Sequence, residues 1–144
     1  MAAIDEAGAA LHRELGTLSL REVVRVPAGA SLRETASRLR EADVSSALVG
    51  DSSRDIVTER DLTRAFAEGR GPDDPVEAIE ERTPLWATTT SYVIDAAWMM
   101  LHHEIRHLIV LGIDGKAVGV VSMRDIFSML IPAMPGGSPT GANT

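Results

Sequence analysis

The chain has 144 residues, 44% of them hydrophobic and 24% charged, which is enough for one compact domain with its own core. A net charge of −7 argues against nucleic acid as the main partner, because phosphate backbones are gripped by clustered Lys and Arg. With no cysteine, the chain has no disulfide, no thiolate metal site and no thiol nucleophile.

Residues 1–19 read as a helical extension, amphipathic through Ile4, Ala7, Leu11 and Leu15. Asp5 and Glu6 stand where a signal peptide would need basic residues, and the longest apolar run, near Ala96 to Leu101, is far too short to span a bilayer. The expected location is cytoplasmic, with no membrane partner.

Residues 20–69 form a first unit. An extended stretch from Val23 to Val26 leads to Leu32, Ala36 and Leu39 at helical spacing, opened by a Ser31-x-x-Glu34 capping box. Ala47 to Val49 and Asp55 to Val57 are short apolar runs suited to buried strands, and a second helix begins at Thr58 and closes near Gly69. Residues 70–83 are a linker with one short helix, capped by Asp74 and carrying Pro75 at its first position.

Residues 84–131 repeat this order. Leu85 to Thr88 is extended, a helix runs from about Tyr92 to Glu104, strands follow at Leu108 to Leu111 and Ala117 to Val121, and a helix from Arg124 ends before Pro132. Leu32, Ala36, Leu39, Val44 and Leu48 fall on Val93, Ala97, Met100, Ile105 and Ile109 at a constant offset of 61. "IVTERDLTRAF" then matches "VVSMRDIFSML" at an offset of 64. Such internal repetition marks a duplicated structural unit. Residues 132–144 read as a disordered tail.

The element order, with "DIVTERDL" and "GKAVGVVSMRDI", resembles the cystathionine beta-synthase domain family, or CBS domains; two tandem copies resemble the CBS pair, or Bateman module. The resemblance implies an α/β (α+β) fold in which two β-α-β-β-α repeats pack about a pseudo-twofold axis. It also implies clefts between the repeats for adenosine-type ligands such as AMP, ADP, ATP or S-adenosylmethionine, and a homodimer. No cofactor is required on this reading, and an adenine nucleotide is the expected ligand. The function implied is that of a non-enzymatic regulatory sensor acting on a separate protein target in trans; a ligand-free interaction scaffold is the alternative.

Thr58-x-x-Asp61 and Ser122-x-x-Asp125 sit where a strand hands over to a helix. Free amides at a helix start, with a neighbouring hydroxyl, suit a phosphate, and a carboxylate suits the vicinal hydroxyls of a ribose. The same letters also describe ordinary helix caps. The family resemblance carries phosphate and ribose contacts to Thr58, Asp61, Ser122 and Asp125. It places the base against Val24 to Val26, Leu85 to Thr88, Ser46 and His107; Arg60 and Arg124, next to the aspartates, are placed to offset phosphate charge. Gly119 matches a family glycine that Asp55 replaces in the first copy, which favours the Asp125 cleft.

"HHEIRH" contains His103-Glu104-x-x-His107, the spacing of a zinc-dependent hydrolase. Chelation requires both histidines on one unbroken helix, whereas the repeat register puts a helix end and a strand start between them, so no metal site is expected. The helix holding Ala96, Ala97, Trp98, Met99, Met100 and Leu101 is apolar nearly all round and must bury a second face. Trp98, Met99, Phe127 and Met129 are the candidate dimer interface; the rival is cover by the N-terminal helix.

Overall fold

In a computed structural model of the protein, the described residues are 2–53, 55–79 and 86–131. The expected tail 132–144, linker residues 80–83 and Leu85 lie outside them.

Repeat one contains β1 (Arg25–Val26), α2 (Leu32–Ala42), β2 (Ser46–Val49), β3 (Ile56–Thr58) and α3 (Glu59–Ala67), after an N-terminal α1 (Ala2–Leu11). Repeat two contains β4 (Trp86–Thr88), α4 (Val93–His102), β5 (His107–Leu111), β6 (Ala117–Ser122) and α5 (Met123–Leu130). Each repeat has one three-stranded sheet with its first strand parallel to the second and its third antiparallel. The internal echo is a register identity. Arg25 pairs with Leu48 as Trp86 pairs with Ile109, and Ser46 pairs with Thr58 as His107 pairs with Ser122.

Local signals account for the element ends. Ser31 accepts from the Glu34 amide while Glu34 accepts from the Ser31 amide, the reciprocal box expected at the start of α2. α2 and α4 are each followed by a left-handed residue: Asp43, the cap of α2, at φ 54°, and Glu104, one residue past the cap of α4, at φ 55°. The linker differs from expectation. Its short element is a 3-10 turn at Val76–Ala78, and Asp74 does not cap it: the carboxylate accepts from the Gly71 amide, a contact that turns the chain one step earlier.

Burial divides into three layers. Val26, Leu39, Val49, Val57 and Val76 fill the space under the helices of repeat one, and Val93, Met100, Leu108, Val121 and Ile126 do so in repeat two. Between them Leu48, Ile56, Ile109, Leu111 and Val120 join the inner faces of the two sheets, so the repeats share one hydrophobic seam. β2 is buried at every residue because it faces helices on one side and the other repeat on the other.

The N-terminal segment belongs spatially to repeat two. Leu11 and Leu15 pack against that core, Leu15 and Gly16 donate to the Ser91 and Thr89 carbonyls, and α1 lies on α4 and α5. The chain then crosses over: Arg21 bridges Val120 of repeat two, and Val24 joins the core of repeat one. Among the described residues no helix is long and apolar enough to cross a membrane.

Candidate functional site between the repeats

Both strand-to-helix junctions are reciprocal capping boxes. Thr58 accepts from the Asp61 amide and Asp61 from the Thr58 amide; Ser122 and Asp125 do the same. The duplicated motif therefore caps helices α3 and α5, and each carboxylate keeps further hydrogen-bonding capacity beyond the cap.

What takes up that capacity differs between the copies. Asp61 is buried, 4% exposed, and pairs with Arg64 one turn along α3. Asp125 is half-exposed and receives a two-pronged contact from Arg21, Nε to Oδ2 at 3.1 Å and NH2 to Oδ1 at 3.2 Å. Burial opposes the charge on Asp125, but the guanidinium and the Ser122 hydrogen bonds outweigh it and hold the carboxyl below the usual range.

Three cavities surround these groups. The largest, about 600 Å³, lies between the repeats and is lined by Ser46, Thr58, Arg60, Asp61 and Arg64 from one and by His103 to His107 from the other. Asp61 also borders a smaller hollow of about 200 Å³ against Ala78 and Ile79. Asp125 borders a third, of about 310 Å³, lined by the apolar Leu18, Leu20, Val121 and Met129 and by the polar Arg13 and Thr17.

The central cavity is bound on both sides by contacts that cross the repeats. The Ser45 amide donates to His107 Nδ1 at 3.2 Å, which leaves the proton of the neutral ring on Nε2. Burial first, then the nearby Arg21 and Arg106, lowers the His107 pKa. Arg106 pairs with Glu59, and Arg60 donates to the carbonyls of His103 and Glu104. Arg60 thus closes the end of α4, where unpaired carbonyls accumulate. Ser46 Oγ is buried in the cavity wall with no partner among the described residues.

The structure brings Thr58, Arg60, Asp61 and His107 to the central cavity and puts Ser122, Asp125 and an exposed Arg124 at the start of α5. Thr88 does not join them. It pairs with Leu111, whereas Ser122 pairs with His107 at the opposite end of β5, about 13 Å away at roughly 3.3 Å per residue. The segment that lies beside Asp125 is Leu18 to Arg21, upstream of the expected Val24 to Val26. Its pairing with β6 joins residues about a hundred positions apart and leaves no local sequence signal.

His103 caps the end of α4, Glu104 has the left-handed backbone, and His107 opens β5, so the H-E-x-x-H letters span a helix end, a turn and a strand. Among the described residues no three His, Asp or Glu side chains are grouped to hold a metal ion. Of the candidate interface residues, Trp98 and Phe127 are exposed, while Met99 and Met129 pack half-buried against the core of repeat two.

A family model for the CBS domain matches residues 15–68 and again 73–131. An uncharacterized 17.7 kDa protein of Acidianus ambivalens is 31% identical over 121 residues, covering 82% of this chain and 73% of its own. Among solved structures, a CBS domain protein from Pyrobaculum aerophilum complexed with AMP is similar at TM-score 0.67 and 34% identity, over 78% of this chain and 88% of that one. An uncharacterized conserved protein from Pyrococcus horikoshii shares the fold at TM-score 0.70 and 23% identity, over 82% and 92%. With both repeats matched in sequence and the paired sheets matched in space, the chain belongs to the CBS domain family.

Proposed function

We propose that this protein is a non-catalytic regulatory module that takes an adenosine-containing ligand between its repeats. The Asp125 cavity, between repeat two and the N-terminal segment that crosses over into repeat one, carries this reading: apolar walls from Leu18, Leu20, Val121 and Met129 with one carboxylate, the composition of a site for a flat base joined to a sugar. Asp125 takes the ribose hydroxyls, and Ser122 and Arg124 take the phosphate side. Thr58, Arg60, Asp61 and His107 form a second cleft of the same kind, with the unpartnered Ser46 Oγ available to a ligand. The AMP bound by the Pyrobaculum relative supports the ligand class.

The module acts by population shift. A ligand in the central cavity touches both repeats, and one in the Asp125 cavity touches repeat two and the crossover into repeat one; either favours one relative packing of the sheets, and a separate protein target reads the change. Homodimerisation through the exposed face around Trp98 and Phe127 belongs to the same proposal.

Calorimetry with AMP, ADP, ATP and S-adenosylmethionine, repeated on Asp125→Ala, tests the site. At least one ligand binds, and the substitution weakens it about tenfold or more, the worth of a hydrogen bond to a charged group. Unchanged affinity in the variant moves the ligand to the Asp61 cleft. No binding of any of the four leaves the ligand-free scaffold.

A further inference from the structure

Asp125 is already occupied. Its two oxygens accept the paired donors of Arg21, and Oδ2 also takes the Ser122 amide at 3.3 Å. A ribose diol would compete for the same oxygens, and because Oδ2 already takes two donors it can engage both oxygens only by displacing the guanidinium. The displaced group stays tethered beside the site by its backbone. Arg21 and Val120 exchange two backbone hydrogen bonds of 2.9 Å, and Leu20 lies so close to Gly119 that a side chain there would meet its Cβ at 2.5 Å.

We propose that Arg21 is a specificity-determining residue that admits phosphorylated adenosine ligands to the Asp125 cavity and disfavours the uncharged nucleoside. The inference rests on the adenosine reading above. An uncharged nucleoside takes the carboxylate and leaves a guanidinium without its partner, at the cost of a charge-assisted pair. A nucleotide offers that guanidinium a phosphate in exchange, in the two-pronged geometry that Arg favours. The device is confined to repeat two, because the arginine on Asp61 comes from its own helix, three residues along, rather than from a neighbouring segment.

The test is calorimetry of AMP and adenosine with the wild-type protein, Arg21→Met and Arg21→Lys. The wild type binds AMP about tenfold or more tighter than adenosine. In Arg21→Met adenosine binds tighter than to the wild type, AMP binds more weakly, and the preference collapses. Arg21→Lys keeps the charge but loses the fork, and retains part of the preference; it decides the question if the Met variant does not fold. A preference unchanged in the folded variants, or a wild type that binds both equally, overturns the role of Arg21 and leaves the adenosine reading standing. If neither compound binds any of the three proteins, the Arg21 role falls, and the adenosine reading falls with it only if ADP, ATP and S-adenosylmethionine also fail to bind the wild type.

Discussion

His107 shows how one side chain couples the repeats to pH. It opens β5 in repeat two while its Nδ1 accepts from Ser45 in repeat one, a contact that needs the neutral ring. Its pKa is lowered in the fold, so the native state takes up its proton later than the unfolded chain as pH falls. Stability from this group is therefore complete above the ordinary value of 6.5 and declines as pH drops below it. Asp125, whose pKa is also lowered, contributes stability above the ordinary carboxyl value and loses it at more acid pH. Thermal melts between pH 7 and about pH 5 should show the melting temperature falling, with a shallower fall in His107→Gln. Equal slopes in the two proteins would mean that another group controls this range.

Among the elements, β6 serves two neighbours that lie far apart in the chain. It pairs with β5 along its length and holds the N-terminal crossover through the Arg21–Val120 bridge. Gly119 makes that second role sterically allowed: a Cβ there would lie 2.5 Å from Leu20 Cβ and 3.1 Å from the Arg21 carbonyl. Gly119→Ala must push the Leu18 to Arg21 segment off the sheet, at a cost of about 1–3 kcal/mol, the range for overpacking a tight contact. Urea unfolding measures it, and a loss under about 0.5 kcal/mol, the scale of an ordinary surface change, would show that the segment is not held at this point. Asp55, the counterpart in repeat one, does not enter this contact, so the two copies are distinguished by which neighbour each third strand must accept.

At the scale of the molecule, two sheets share the seam of Leu48, Ile56, Ile109, Leu111 and Val120, and the N-terminal segment packs on repeat two. That segment covers only part of the apolar surface. Trp98 remains 60% exposed and stacked on His102 at 4.6 Å, with Ile94, Leu101 and Phe127 also exposed. Several large apolar side chains exposed together on α4 and α5 fit a second copy of the chain. Light scattering should report a dimer that Trp98→Asp converts to monomer, with the fold unchanged by circular dichroism. A folded variant that stays dimeric removes Trp98 from the interface.

The sequence by itself determined the duplication, the order of elements and the capping box at Ser31, and offered helix caps at Thr58 and Ser122 as one of two readings, because periodicity and caps are set within a few residues along the chain. It also carried the break in "HHEIRH", since the repeat register alone separates His103 from His107. Only the tertiary structure decided that Arg21 lies on Asp125, that Leu18 and Leu20 wall its cavity, that Thr88 stands at the far end of the sheet, and that Ser45 reaches His107. The Ser45–His107 and Arg21–Asp125 contacts join residues 62 and 104 positions apart. Their geometry follows from how two sheets pack and where the chain crosses between them, which no local pattern of residues records.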